Sequence, residues 1–419
     1  MKVFFLAVAV GLGAVVFAQP KTIGVINPSA LARKDALVVL KRAWLKKKLP
    51  ALSEHQYIIV TDKNIPQLVQ FDDMDGDGVW DEAVLLLNLA PKQKKLLSVA
   101  ASEHPAAIKA VVRSYVRQKH RLPDNSFGNN IERDTMPYNN LPTDFSKQKL
   151  PPYLTEGPAW ENDKVGFRKY FDTRNSNDIW GKRVPYMVLD EVGANPEISY
   201  HNLSSWGMDI LKVGKSLGAG ALALRVKTNG KDSLVRFGRN VQQLVYKQIA
   251  SGPLRAIFEL VYNNWQYLPG VAPITVKEQI SIWGGQYFFE NKVTFSSIPA
   301  NASLVTGTID FYSRQDHQIN RQGIAGLYTC DQQSENKDQL GLAILAPAKN
   351  VKGFGHISSP DADVTNVFTI DLKASARQPI VYRYYVGWQM TDQAFATRQG
   401  FEKMLSAEVE KFAKPLVIR

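Results

Sequence analysis

Residues 156–183, EGPAWENDKVGFRKYFDTRNSNDIWGKR, gather side chains suited to a charged, ring-shaped ligand. Trp160 and Trp180 offer flat apolar faces, while Lys164, Arg168, Arg174 and Lys182 offer cationic donors. Glu161, Asp163, Asp172 and Asp178 supply acid, base or acceptor oxygens, and Tyr170 a phenol. Such a mixture is more than a plain β-sandwich core needs, and it fits an acidic sugar. The next block, SYHNLSSWGMDILKVGKSLGAG, places His201 beside Asn202, Trp206, Asp209 and Lys212. An imidazole among Asn, Trp and Asp is equipped for proton transfer. His317, flanked by Tyr312, Arg314 and Asp316, is a second candidate. For each of these residues, ordinary ion pairing, a surface turn or core packing is the competing reading.

Elements must hold those residues. Residues 21–98 read as short strands (IGVIN, DALVVL, QYIIV, QLVQF, AVLLLNL) punctuated by turn formers, which predicts a small N-terminal β-sandwich over 19–105. The stretch 107–120 is compatible with helix or strand. Residues 121–160, crowded with Pro, Asn, Asp and Gly, predict an ordered loop, so 106–159 is taken as a connecting segment. From 160 to 419 the pattern is β again. ITVKEQISI, Trp283, Gly284-Gly285 and QYFFENKVTF predict a hairpin. In its first strand Glu278 falls in phase with Ile274, Val276, Ile280 and Ile282, so this carboxylate must be paired or line a cavity. IVYRYYVGWQM, which carries Trp388, is a last long strand. Phe395, Phe401, Met404, Leu405, Val409 and Phe412 then recur at helical spacing and predict a packing helix.

Composition bounds the setting. Lys2, the apolar run VFFLAVAVGLGAVVFA and small residues before Gln19 predict a cleaved signal peptide over 1–18 and a secreted or periplasmic protein, with no membrane attachment after cleavage. The single cysteine, Cys330, allows no internal disulfide and reads as a buried thiol. A formal net charge of +12 favours polyanionic partners. With no nucleic-acid motif, an acidic oligosaccharide or polysaccharide is the expected partner. Oligomeric state has no signature. No H-E-x-x-H or C-x-x-C pair is present, the Gly-rich run 214–224 lacks the phosphate-loop pattern and reads as a turn between strands, and no catalytic cofactor is expected. DDMDGDGVWDE (72–82) alternates Asp73, Asp75 and Asp77 before Asp81, a pattern that suits a structural calcium ion or an Asp/Gly-rich hairpin turn without metal.

QFDDMDGDGVWDE, EGPAWENDKVGFRKYFDTRNSNDIWGK, YHNLSSWGMDILKVGKSLGAG and YRYYVGWQM, in that order, resemble a family of exported bacterial proteins of otherwise unassigned function linked to acidic-polysaccharide breakdown. Some members are similar to an oligosaccharide dehydratase acting on ulvan. The resemblance implies a large galactose-mutarotase-like β-supersandwich behind the N-terminal β-sandwich, a fold that does not by itself fix the reaction. Elimination at a uronic acid needs a cation on the carboxylate, a base for the C5 proton and an acid for the oxygen leaving C4. Arg168 fits the clamp because its fork matches a carboxylate. His201 and Tyr170 fit the acid/base pair in either order. Trp160, Trp206 and Trp388 fit as stacking platforms, and Glu161, Asp172 and Asp209 as orienting groups. Lys164, Trp180, Lys212, Glu278 and His317 complete the substrate-binding candidates. The rival readings are a glycoside hydrolase using Glu161 and Glu278, a non-catalytic carbohydrate-binding protein and, more weakly, a mutarotase.

Overall fold

The computed structural model describes residues 20–419 apart from 229 and 300; the signal peptide expected over 1–18 lies outside the described residues. The protein is mostly β: an N-terminal β-sandwich followed by a large supersandwich with a C-terminal helix. In the first sandwich, Lys21–Ile26, Lys94–Ser102, Tyr57–Asp62 and Ile65–Pro66 form one sheet, and Arg33–Lys41, Glu82–Leu89 and Gln70–Asp72 the other. Alternate residues point inward, so Val38 and Leu40 meet Ile23, Val25, Leu85, Leu97 and Val99 in one apolar core. Arg42–Lys48 is a short helix that the apolar pattern did not predict.

One edge of this sandwich comes from the other end of the chain. Val417–Ile418 pairs antiparallel with Lys21–Ile26, Val25 opposite Ile418. The expected connecting segment also contributes structure: Ser114–Arg117 pairs with Ala159–Asn162, and Arg133–Met136 with Val241–Ser251. The ambiguous stretch 107–120 is therefore strand only at Ser114–Arg117.

The large unit has three antiparallel sheets. A nine-stranded sheet runs from His317–Arg321 at one edge to Arg133–Met136 at the other, and its centre is the predicted hairpin, Ile274–Trp283 with Phe288–Phe295. A five-stranded sheet is ordered Gly207–Asp209, Asn177–Lys182, Val165–Lys169, Ala159–Asn162, Ser114–Arg117. A second is ordered Lys231–Arg236, Leu222–Thr228, Ser303–Ile309, Val367–Lys373, Val351–Ile357. Their inner faces share one core, with Trp160, Phe167 and Ile179 from the first, Leu224 and Ile370 from the second, and Phe258, Ile280 and Phe289 from the nine-stranded sheet.

The predicted terminal helix is Arg398–Ala413, and Thr397 caps it by accepting from the Gly400 N–H. Its Phe401 sits in a dimple made by Gly341 and Gly387, which face each other across adjacent strands. A Cβ on Gly387 would lie 2.6 Å from Phe401 Cδ2. Gly387→Ala is expected to displace the helix and cost about 1–3 kcal/mol, as overpacking generally does. Urea unfolding measures this, and an unchanged midpoint would show that the helix is not seated by this pair.

Candidate functional site

The charged block 156–183 forms a sheet with two buried faces. Trp160, Phe167 and Ile179 point into the core, and alternation sends Glu161, Arg168, Asp178 and Trp180 to the opposite face. That face is covered by the segment 184–206, whose Val188, Leu189 and Val192 pack on Ala159 and Trp180. Polar groups buried there must satisfy one another. Glu161 pairs with Lys182 and accepts from the N–H groups of Val188 (2.7 Å) and Leu189 (2.9 Å).

Arg168 is the centre of the network. Register places it opposite Asp178, with Asp209 opposite Trp180 on the next strand. The guanidinium, 2% exposed, donates to Asp178 Oδ2 at 2.6 Å and Asp209 Oδ2 at 3.2 Å. It also reaches Glu156 Oε2 at 3.5 Å and the hydroxyls of Tyr170 (2.9 Å) and Tyr200 (3.4 Å). The Tyr170 hydroxyl donates to Asp178 Oδ2 at 2.8 Å. Arg168 further lies over the rings of Tyr170 and Trp180, 4.6 and 4.9 Å from their centroids.

The turn that supplies Glu156 is strained. Thr155 (φ 50) and Glu156 (φ 65) are both left-handed and buried. Conformations of this kind cost about 1–3 kcal/mol each and persist only where the surroundings dictate them. Here Arg117 donates to the Leu154 carbonyl and Thr155 Oγ1, both at 2.8 Å, and Arg174 holds Glu156 Oε1 at 2.6 Å.

This network reaches solvent at His201. Its Nδ1 lies 3.5 Å from Asp209 Oδ2, and its side chain is 63% exposed. The Tyr200 ring is 4.5 Å away, centroid to centroid. Both line a cavity of about 230 Å³ together with Phe145, Lys149, Thr155 and Asn195. Burial, and then the neighbouring Asp178 charge, hold the Asp209 carboxyl well above the usual carboxylate range. Burial, and then Arg168, push the His201 imidazole below its ordinary value. Both shifts favour the uncharged form of each group.

Of the residues singled out from sequence, Arg168, Tyr170, Trp180, Asp209 and His201 come together. Several expected roles are corrected. Arg168 is saturated by protein carboxylates and is not free to clamp a substrate. The Tyr170 hydroxyl faces Asp178 inside the network. Trp160, Trp180 and Trp388 are buried to 1% exposure or less, so none presents a stacking face. Glu161 and Glu278 are fully buried in separate networks, Glu278 being 3.4 Å from Lys169 and accepting from Tyr262 and Asn291. They do not form a hydrolytic pair. Asp172 is engaged by Arg174. Lys164 lies over Tyr287, in a cleft it shares with Lys34 and Asp35 of the first sandwich. His317 stacks on Tyr328 at the edge of the nine-stranded sheet. Trp206 is half-buried with its edge to Trp180, and Lys212 is exposed beside Phe311. Sequence reasoning missed Lys149, Glu156 and Tyr200, and took Asp178 as an acid, base or acceptor without placing it on Arg168. Tyr200 had one usable signal, its adjacency to His201.

In the acidic loop, carboxylate oxygens of Asp73, Asp75 and Asp81 lie within 4.8 Å of one another, without Asp77. Asp77 instead accepts from the Val79 N–H at 2.8 Å. Slight burial pushes the Asp73 carboxyl up, but the N–H groups of Gly78 and Gly76 outweigh it and hold the group below its usual value, ionised as a calcium ligand must be. The donor set fits calcium without requiring it, because the Gly76 and Gly78 N–H groups also close the loop by donating to the Asp73 carboxylate.

The chain matches the family described as a domain of unknown function (DUF4861) over residues 25–418, and it belongs to that family. An uncharacterized protein P7 of Formosa agariphila is 26% identical over 295 residues, covering 66% of this chain and 70% of that protein. A solved protein in the glycosyl hydrolase family 38 from Enterococcus faecalis superposes with a TM-score of 0.52 at 8% identity. That match covers 96% of this chain and 47% of the other, so the chain spans about half the length of this structural neighbour. The likeness is one of fold. No helix among the described residues is long and apolar enough to cross a membrane.

Two outcomes follow from this geometry. Arg168→Ala leaves buried carboxylates without their cation and is expected to cost about 3–5 kcal/mol; denaturant unfolding reads it, and a loss under about 1 kcal/mol would contradict the network's role. If the acidic loop holds calcium, millimolar Ca²⁺ raises the melting temperature above its value in chelator, and a melting temperature indifferent to chelator removes the metal.

Proposed function

We propose that this member of the family is an exported carbohydrate-active enzyme that eliminates water or a sugar from uronic-acid-containing oligosaccharides at the His201 cavity. Ulvan-type oligosaccharides are the substrate class the sequence resemblance implies. The observation that carries the reading is an exposed imidazole 3.5 Å from a buried carboxyl group, beside a phenol, on the wall of an open cavity. With Nδ1 turned to Asp209, His201 offers Nε2 to the substrate as the base for the C5 proton. Its lowered proton affinity keeps it neutral, as a base must be, into mildly acidic solution.

Tyr200 is the acid in this reading. Burial first, against the opposing effect of Arg168, raises its phenol, so it stays protonated at neutral pH. As the C5–H electrons form the C4=C5 bond, the C4–O bond breaks and the departing oxygen takes the Tyr200 proton. A departing hydroxyl leaves as water and a departing glycoside as an alcohol. Lys149 takes the carboxylate-neutralising role first given to Arg168. Its present partner, Glu197 at 3.2 Å, forms an exposed ion pair of the kind worth about 0–1 kcal/mol, which a substrate carboxylate can replace. Arg168 acts through Asp209 and Tyr200 as a positioning residue.

The test is absorbance of the conjugated 4,5-unsaturated uronate on incubation with uronic-acid oligosaccharides. The signal is expected to grow with the native protein and to fall about 10²–10⁴-fold in His201→Ala, the usual contribution of acid/base catalysis. Tyr200→Phe is expected to lower kcat in the same assay. The acidic limb of kcat/KM is expected below about pH 6.5, the ordinary imidazole value, because His201 must be unprotonated to act. New reducing ends without absorbance would mean hydrolysis, and binding without either signal would mean a carbohydrate-binding protein.

A further inference from the structure

We infer that an anion-binding subsite adjoins the His201 cavity, built by Lys212 and Lys337 around Tyr312, and that it takes the acidic group of the sugar next to the one that reacts. This rests on the proposed reading of the cavity. Lys337 Nζ lies 3.9 Å from the Tyr312 ring centroid, and Lys212 Nζ lies 5.5 Å from the same centroid and 4.9 Å from that of Phe311. Both side chains are exposed, and among the described residues neither ammonium has a carboxylate within ion-pair distance.

Some surface lysines have such partners, as Lys95 has Asp62, Lys119 has Asp190 and Lys277 has Glu259; here two without one meet at a single ring. Glu335 is the carboxylate at this ring, but it forms an ion pair with neither ammonium, so an added anion bridging Lys212 and Lys337 finds both charges open.

The subsite is built rather than incidental. Phe311 packs on Gly214, where φ is +52 and a Cβ would come within 2.6 Å of the ring. The Tyr312 hydroxyl donates to Glu335 Oε1 at 3.0 Å, which fixes the ring between the two lysines. Lys337 is in the left-handed region at φ 62, in a loop fixed by Asp338, whose Oδ1 accepts from Trp388 Nε1 at 2.6 Å and from the Ser334 hydroxyl at 2.5 Å. Buried Trp388, expected to stack on sugar, thus supports the loop that presents Lys337.

Continuity with the cavity comes from the backbone. The Glu335 N–H donates to the Ile210 carbonyl at 3.0 Å, directly after Asp209, the partner of His201. Lys212 follows two residues later. A ligand whose reacting sugar is at His201 therefore meets the lysines with a neighbouring unit. Ammonium groups are point charges without a fixed fork, so they accept a carboxylate or a sulfate ester alike.

The test compares three oligosaccharides with the same reacting uronate, whose neighbouring sugar is neutral, carboxylated or sulfated. The Lys212→Ala, Lys337→Ala double variant is expected to raise KM about tenfold on an acidic neighbour, with kcat and the neutral substrate unchanged. Which acidic substrate responds identifies the group. Equal KM values for native and variant protein on all three would overturn the subsite while leaving elimination at His201 intact. If no substrate is eliminated, calorimetric binding of the same oligosaccharides decides. A tenfold weaker Kd in the variant for the acidic ones alone keeps the subsite and rejects the reaction; equal Kd values reject the subsite too. Both lysines are exposed, and an unchanged melting temperature confirms that the variant is folded.

Discussion

A buried guanidinium surrounded by carboxylates constrains everything around the site. Arg168 cannot be removed without stranding Asp178 and Asp209 in a water-poor interior, while Glu156 ties the same guanidinium to Arg174. Three strands and the left-handed turn at Thr155–Glu156 are therefore fixed relative to one another through one side chain. Asp209 inherits that rigidity, and its N–H donates at 2.8 Å to the carbonyl of Tyr200, the residue before His201, whose Nδ1 lies 3.5 Å from the Asp209 carboxyl. Preorganisation of this kind keeps an exposed acid/base group in place without immobilising it in the core.

The sheet carrying Arg168 divides two tasks between its faces. Its inner face adds Trp160, Phe167 and Ile179 to the apolar core. Its outer face is an ionic layer sealed by residues 184–206 and opening where that segment reaches Tyr200 and His201. The architecture shared with a glycosyl hydrolase family 38 protein places no limit on the chemistry, since related folds host unrelated reactions. Reaction class depends on which groups face the cavity, and here these are an imidazole, a phenol and an ammonium.

Much of the fold was legible because it is periodic. The hairpin around Gly284–Gly285, the terminal helix and the strands of the first sandwich all announced themselves by apolar spacing. The deduction that Glu278 must be paired or line a cavity was met by Lys169, Tyr262 and Asn291 in the interior. The joining of Val417–Ile418 to the first strand left no trace, because long-range pairing of a two-residue strand has no local pattern. At the site, the block 156–183 forms one packed network, but several of its side chains lie elsewhere than their types suggested. Composition cannot tell an indole that stacks on sugar from one that packs on Phe167 and Phe258. It also cannot show that Arg168 is already neutralised by carboxylates from other strands.

The central claim is that His201 removes the C5 proton of a uronate and a C4–O bond breaks with it. Proton NMR of a uronic-acid oligosaccharide incubated with the native protein tests this directly. The account predicts loss of the H5 resonance together with a new olefinic H4 signal, both absent with His201→Ala. New reducing-end anomeric signals with H5 retained and no olefinic proton would contradict it.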